Sequence, residues 1–238
     1  MSCLCFRRRG SFPVVKLLGL LLSLRLLLCG IPVSALHEDD VYRSVKTDSM
    51  KIAITFDDGP HPSLTPRILE ILDRYGVKAT FFMVGVNVVN YPEVAKAVID
   101  AGHEVGNHTF SHLTVAGVGE RTLQAEVERC EDALEELCEY RPQVFRPPQG
   151  ALDPCVTQYA RQADYSVVLW SLDTKDWEVK DAQRIAHTVL SQVRAGDIIL
   201  LHDYIGRKSK TPEALEILLP ELLAHGFEPV TVRELLSD

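Results

Sequence analysis

Residues 51–60 read KIAITFDDGP, and this stretch decides the fold. The apolar run from Ile52 to Phe56 has the length and the β-branched content of a buried strand. Two aspartates and a Gly-Pro pair follow, so the strand ends in a turn that carries two carboxylates. A buried strand that ends in charged residues is typical of parallel α/β proteins, whose sites form where strands end.

Beyond this strand, apolar runs alternate with amphipathic stretches as far as the end of the chain. The predicted strands are 52–56, 79–84, 103–106, 144–146, 167–172, 197–201 and 230–232. The predicted helices are 65–75, 92–101, 122–138, 154–163, 182–193 and 212–223, with stop signals at Gly76, Gly102, Gly196 and Gly226. Strict alternation without a repeat or a low-complexity linker predicts one α/β domain with a parallel sheet and helices outside.

Polar residues follow five of these strands. They are Asp57, Asp58, Asn107, His108, Arg146, Asp173, Asp176, His202 and Asp203. An open doubly wound sheet gathers only the residues near its switch point, whereas a barrel brings all its carboxyl ends around one mouth. The distribution therefore favours a barrel.

Charge divides the chain into two parts. The 238 residues carry a net charge of −8, yet residues 1–35 hold basic side chains and no acidic one. Three arginines at 7–9, a leucine-rich run over 14–33 and small residues up to Ala35 predict a secretory signal peptide. The run is also long enough for an uncleaved membrane anchor, although Arg25 interrupts it.

Either outcome leaves the rest of the chain on the outer side of the membrane, because basic residues stay inside. We predict a linker over 36–49 and a catalytic domain over 50–238. Residues 36–238 have a net charge of −13, which argues against a nucleic-acid partner. Cys130 and Cys138 are about 12 Å apart on one predicted helix, too far for a disulfide, so we expect free thiols there and at Cys155.

Asp57 and Asp58 are adjacent at a strand end, so their side chains point in different directions. One carboxylate can bind a cation while the other acts as a base. The alternative is an Asp-Gly turn that only caps the following helix.

His108 and His112 are four residues apart and would share one face of a helical turn, where both imidazoles can bind one metal ion. The alternative is a pair of unrelated surface histidines. With a nearby aspartate, the set leaves an open position for water or substrate, and the metal can polarise a carbonyl.

His202 follows the apolar run 198–201 and is either a core histidine or a general acid. In the second case Asp176, or else Asp173, would hold the imidazole and raise its pKa. Arg146 precedes two prolines and either forms a surface salt bridge or orients Asp57.

Two further residues adjoin these motifs. Trp177 is either part of the core or a wall for a small apolar group. The backbone N–H of Gln149, in a Gln-Gly pair, is placed to reach a developing oxyanion.

Five motifs thus stand in order along the chain. They are TFDDGP (55–60), NHTFSH (107–112), FRPPQG (145–150), DTKDW (173–177) and LLH (200–202). Together they resemble the motifs of the polysaccharide deacetylases, carbohydrate esterase family four (the nodulation-type chitooligosaccharide deacetylase homology domain), over about residues 50–236. This resemblance implies a distorted (β/α)7-type barrel and a divalent metal, usually zinc.

The resemblance also assigns roles to the residues of the motifs. It implies the metal ligands Asp58, His108 and His112, the base Asp57 with its partner Arg146, the acid His202 with its partner Asp176, and an acetyl pocket at Leu200 and Trp177. Gln149 stands where the family commonly has an aromatic residue. It keeps the N–H but changes the surface on which a sugar would stack.

The predicted function is that of a hydrolase that removes N-acetyl groups from N-acetylglucosamine units of a cell-wall polysaccharide. Peptidoglycan is favoured, because an exported single domain without a carbohydrate-binding module meets the wall first. A chitooligosaccharide deacetylase and an acetyl-xylan esterase are alternatives that use the same centre. A glycan-binding relic without activity is the alternative of another class, against which the intact base, ligands and acid argue. We expect a monomer that contacts the membrane only through residues 1–35.

Overall fold

The computed structural model describes residues 41–204 and 209–238. Its strands are β1 (Val41–Tyr42), β2 (Lys51–Asp57), β3 (Thr80–Met83), β4 (Glu104–Asn107), β5 (Val144–Phe145), β6 (Ser166–Val168), β7 (Leu172–Asp173), β8 (Ile198–His202) and β9 (Glu228–Val230). Its helices are α1 (Leu64–Arg74), α2 (Gly85–Asn90), α3 (Pro92–Asp100), α4 (Glu120–Cys138), α5 (Pro154–Gln162), α6 (Ala182–Leu190), α7 (Thr211–Ala224) and α8 (Val232–Leu236).

The sheet is a curled, parallel one, and it confirms the predicted distorted α/β barrel. The strand order is β1-β6-β5-β4-β3-β2-β8-β7, and β9 pairs with the first residues of β2. Every strand pair is parallel. Just beyond β1, Ser44 forms an isolated bridge with Asp197 before β8, and this contact links the two sides of the curl.

Strand β2 shows how the sequence divides its side chains between the two faces. Ile52, Ile54 and Phe56 join the apolar layer that lies between the sheet and the helices. Ala53 packs in a separate apolar cluster with residues of β3, β5, β6 and β8. Successive side chains alternate between the two faces, as expected of a strand. Thr55 and Asp57 therefore lie on the same face as Ala53, at the carboxyl end of β2.

The opposite end of the barrel is closed by apolar contacts. Val232 and Leu235 of α8 pack against Ala53, Ile198 and Val230. Because this end is filled by side chains, a site has room only at the mouth where the strands end.

One predicted strand, 167–172, is wrong as a single element. The chain leaves β6, which pairs with β5, and reaches β7, which pairs with β8 on the other side of the curl. Between them the carbonyls of Val168 and Leu169 accept hydrogen bonds from the guanidinium of Arg146, at 3.1 and 2.9 Å. The Arg146 side chain, which follows β5, therefore binds the backbone carbonyls that a continuous strand would use for pairing with its neighbours.

Two short elements lie outside the predicted pattern. Helix α2 follows β3 directly, in a stretch for which no element was predicted. Strand β1 lies in the range predicted as linker and pairs with β6.

Gly196 has a role other than the predicted helix stop, since α6 already ends at Leu190. Its φ is 82°, and a Cβ there would lie 1.8 Å from the carbonyl oxygen of Val45. Only glycine allows this close approach of two backbone segments beside β8.

The predicted export segment, residues 1–35, lies outside the described residues. Within 41–204 and 209–238, no helix combines the length and the apolar character needed to span a membrane. Cys130, Cys138 and Cys155 are free thiols, as predicted.

Candidate active site

The sheet register brings the ends of five strands to one level. Asp57 pairs with His202, Met83 with Asn107, and Asn107 with Phe145. The polar residues that follow these positions in the sequence therefore meet at one mouth, as predicted for a barrel.

Asp58, His108 and His112 form a group that can hold a metal ion, with ligand atoms all within 4.8 Å of one another. Asp58 Oδ1 lies 3.4 Å from His108 Nε2 and 3.0 Å from His112 Nε2. His108 Nδ1 lies 2.7 Å from the carbonyl oxygen of Arg146. That carbonyl can only accept, so Nδ1 carries a hydrogen, and once Nε2 has lost its proton its lone pair faces Asp58 and can bind a cation.

The helical turn expected for the two histidines is wrong. Residues 108–112 form an irregular loop after β4. Thr109 and His112 have φ values of 64° and 60°, and Asp58 has a φ of 75°. Left-handed backbone costs roughly 1–2 kcal/mol per non-glycine residue, so neighbouring contacts must hold these conformations.

Charge complementarity perturbs the ionisation of this group. Burial by itself would raise the pKa of Asp58, but hydrogen bonds from His108 and His112 outweigh burial and hold that pKa well below its usual range. The hydrogen bond with Asp58 raises the pKa of His112. The carboxylate is therefore ionised and able to act as a ligand at any physiological pH.

Asp57 lies beside this group and is held by Arg146. Arg146 Nη1 donates to Asp57 Oδ1 at 2.7 Å and to Thr55 Oγ1 at 2.8 Å. Asp57 Oδ2 lies 3.8 Å from His108 Nε2, so one oxygen is bound to the arginine and the other faces the ligand group. This is the geometry expected if Arg146 orients Asp57.

Arg146 is fully buried, which contradicts the alternative of a surface salt bridge. Its guanidinium carbon lies 4.0 Å from the centroid of the Phe82 ring. Burial lowers the pKa of Arg146, and the charge and hydrogen bond of Asp57 oppose that shift. The five donors of the guanidinium allow one side chain to fix a carboxylate, a hydroxyl and two carbonyls together.

His202 lies on the other side of Asp57 and is bound to Asp176. His202 Nδ1 lies 2.7 Å from Asp176 Oδ1, and the His202 backbone N–H donates to Asp176 Oδ2 at 2.9 Å. Desolvation would lower the pKa of His202, but the hydrogen bond and charge of Asp176 raise that pKa to about 9. The imidazolium is therefore the resting form at neutral pH, with Nε2–H available to donate.

Of the two aspartates considered for this role, the structure selects Asp176. Asp173 instead accepts the backbone N–H of Lys175 at 2.9 Å. Thr211, at the start of α7, donates to Asp176 Oδ2 at 2.6 Å and completes the set of donors around that carboxylate.

The predicted pocket residues differ in their exposure and in the elements that carry them. Leu200 is buried two residues before it on β8, and so shares its face of the strand. Trp177 is 49% exposed, next to the buried Asp176, which contradicts a core role for the indole. Gln149 lies in a tight turn, Pro148–Gly150, with a φ of 61°.

Asp203 lies at this mouth without a role assigned by the sequence. It is fully buried and accepts a hydrogen bond from Thr65 Oγ1, while Oδ1 has no partner among the described residues. Burial raises the pKa of Asp203 to about 7. Its carboxylate lies against Gly59, where a Cβ would be 2.2 Å from both oxygens.

Three comparisons bear on this site. A family model described as polysaccharide deacetylase matches residues 44–168. A peptidoglycan-N-acetylglucosamine deacetylase of Bacillus cereus is 41% identical over 187 residues, which are 78% of this chain and 87% of that protein. The crystal structure of the Bc1960 peptidoglycan N-acetylglucosamine deacetylase superposes with a TM-score of 0.80 at 34% identity, over 82% of this chain and 92% of the other.

A further structural relative shows that this fold does not guarantee activity. BA3943 of Bacillus anthracis, described as a pseudoenzyme, superposes with a TM-score of 0.78 at 27% identity, over 82% of this chain and 68% of the other. The individual residues at the mouth, rather than the fold, must therefore support any assignment of activity.

Proposed function

The chain belongs to the polysaccharide deacetylase family, and on that premise we propose that it is a zinc-dependent hydrolase acting on N-acetylglucosamine units of peptidoglycan. One observation carries the proposal. A group able to hold a metal, Asp58, His108 and His112, lies beside a buried carboxylate, Asp57, and Asp57 pairs across the sheet with a histidine of raised pKa, His202.

The donor set suits zinc. One carboxylate and two imidazoles give three ligands and leave a position open, as in catalytic zinc sites. The hydrogen bond from His108 Nδ1 to a backbone carbonyl is the kind of outer contact that orients a ligating imidazole. When bound, a divalent cation polarises the acetamide carbonyl and favours ionisation of a water molecule.

Asp57 is the general base in this proposal. It removes a proton from the water that attacks the acetamide carbon, and its free oxygen Oδ2 faces the ligand group. Arg146 holds the other oxygen, so the carboxylate keeps one orientation throughout the reaction.

His202 is the general acid. Its Nε2–H donates to the leaving nitrogen, which departs as the free amine while acetate is formed. The backbone N–H of Gln149 donates to the oxyanion that develops on the carbonyl. Leu200 and Trp177 enclose the acetyl methyl group, and the exposed indole also offers a surface for the sugar.

Peptidoglycan is the proposed polymer because relatives that match most of this chain are named for it. We further propose that residues 1–35 export the protein, as a signal peptide or an anchor, so that a monomer acts at the outer face of the membrane. The residues proposed as base, acid and ligands are all present and each has a polar partner, which favours an enzyme over a glycan-binding relic.

Acetate release tests the proposal. The purified protein is incubated with peptidoglycan, chitin oligomers and acetyl-xylan, with and without a chelator, and the chelated enzyme is reloaded with Zn²⁺. We expect release from peptidoglycan that the chelator abolishes and Zn²⁺ restores. Release only from chitin oligomers or acetyl-xylan would refute the substrate, and metal binding without release from any polymer would favour the binding relic.

A further inference from the structure

Helix α4 contacts the loop that carries both histidine ligands. The carboxylate of Glu126 accepts the backbone N–H of Ser111 at 2.8 Å and the Ser111 hydroxyl at 3.0 Å to both of its oxygens. Ser111 directly precedes His112 in the sequence. One side chain of α4 therefore fixes both the backbone and the side chain of the residue next to a ligand.

The Glu126 carboxylate is bound to Ser111. It is buried, and in the part of the chain that the structure describes its hydrogen bonds all come from Ser111. Removing a carboxylate from water is unfavourable unless its hydrogen bonds compensate. The hydrogen bonds that offset the burial of this carboxylate all come from one residue of the histidine loop. Glu126 therefore holds this loop in one position.

The first part of the loop is held by other contacts. Asn107 donates to the carbonyl of Val127 at 2.9 Å, and the Arg129 guanidinium carbon lies 3.8 Å from the centroid of the Phe110 ring. The His108 backbone N–H donates to the carbonyl of Met83 at 3.0 Å. These contacts fix the loop as far as residue 110.

His112 differs from His108 in its support. His108 is buried, and its Nδ1 is bound to a carbonyl, whereas His112 is half-buried and has a left-handed backbone. Its side chain is held by Asp58, which is itself in the ligand group. The nearest anchor outside that group is the pair Ser111–Glu126.

We propose that Glu126 is a positioning residue for the metal site, which fixes Ser111 and thereby holds His112 Nε2 in place for a cation. This inference rests on the ligand role proposed for His112. Glu126 neither touches the substrate nor binds the metal; it pre-organises the most exposed of the three ligands, and so sets the metal affinity of the site.

Metal affinity of the apo-protein separates this role from a purely structural one. Zn²⁺ binding is measured by competition with a chromophoric chelator, well below the unfolding temperature, for Glu126→Ala, Glu126→Gln, Ser111→Ala and the double variant Glu126→Ala/Ser111→Ala. Glu128→Ala is the matched control, because Glu128 lies exposed on the same helix and bonds with Gln124. His112→Ala serves as the reference for loss of the ligand.

We expect Glu126→Ala to weaken Zn²⁺ binding by about 10–100-fold, the usual effect of losing an outer contact to a ligand. Glu126→Gln keeps one acceptor and should weaken binding less. The double variant should be no weaker than Glu126→Ala, because the two residues act as one unit. Glu128→Ala should bind Zn²⁺ as the wild type does.

Two results would overturn the inference. One is a Glu126→Ala protein whose Zn²⁺ affinity stays within about twofold of wild type while its melting temperature falls. Loss of a residue that positions a ligand usually weakens metal binding by more than that factor. The other is an additive loss in the double variant. If Glu126→Ala does not fold, Glu126→Gln and Ser111→Ala decide, and unchanged affinity in both refutes the role. A wild type that binds Zn²⁺ through His112 but releases no acetate would refute the proposed function and leave this inference standing.

Discussion

Replacement of Asp176 by asparagine tests the proposed acid directly. The Asp176 carboxylate bonds to His202 Nδ1 at 2.7 Å and raises the pKa of His202 to about 9, against a burial effect that would lower it. Asparagine has nearly the same shape but no charge. The pKa of His202 should therefore fall toward its ordinary value near 6.5, because desolvation is then opposed only by the charges of Asp57 and Asp58.

The size of the effect depends on pH, and its sign follows from the acid role. His202 must be protonated to donate, so activity is lost as the pH rises through its pKa. With a pKa near 9 about 90% of His202 is protonated at pH 8, but with a pKa near 6.5 only about 3% is. The variant should thus lose about 30-fold at pH 8 and less than about twofold at pH 6 through ionisation alone.

The assay is kcat/KM for acetate release between pH 5.5 and 9.5, since its profile reports ionisations of the free enzyme. Asp173→Asn is the matched control, because Asp173 lies in the same segment and bonds to Lys175 rather than to His202. That variant should keep the alkaline limb of the wild type. If Asp176→Asn lowers the rate by one constant factor at every pH, the carboxylate does not act through the pKa of His202.

Three further substitutions test other parts of the site. Asp57→Asn should keep its metal, by elemental analysis, and lose about 10²–10⁴-fold in acetate release, and a wild-type rate would exclude the base role. His108→Ala should lose the metal itself; a fully loaded variant would contradict the ligand assignment. Gly59→Ala places a Cβ 2.2 Å from the Asp203 oxygens and should lower the free energy of unfolding in urea by about 1–3 kcal/mol, whereas an unchanged midpoint would show that Asp203 moves freely.

The strand-helix alternation was predictable from the sequence because it is local. The central strand Lys51–Asp57 contains an apolar run of strand length, and glycines with positive φ follow several helices. The division of 167–172 into β6 and β7 was not predictable, because it depends on the buried guanidinium of Arg146, which is distant in the sequence. Helix α2 is only six residues long and has no side-chain cap, so it carries no start signal.

The same distinction applies to the site. Its motif residues stand at strand ends and could be found by position. Their partners outside the motifs come from elsewhere: Thr211 lies 35 residues from Asp176, and Glu126 lies 15 from Ser111. Threonine at a helix end and glutamate on an acidic helix are common as solvated residues, so nothing in the sequence marks these two.

The two histidines of the loop lie together as their spacing suggested, but not for the reason that the spacing suggested. Four-residue spacing brings His108 and His112 together on a helix, but here an irregular loop does so, with left-handed backbone at Thr109 and His112. A helix supplies its own hydrogen bonds, whereas this loop depends on a carbonyl of the chain after β5 and on a carboxylate of α4. The geometry of the ligand group therefore depends on packing against distant elements. On the role proposed for Glu126, we therefore expect a substitution on α4 to change metal binding although α4 contributes no ligand.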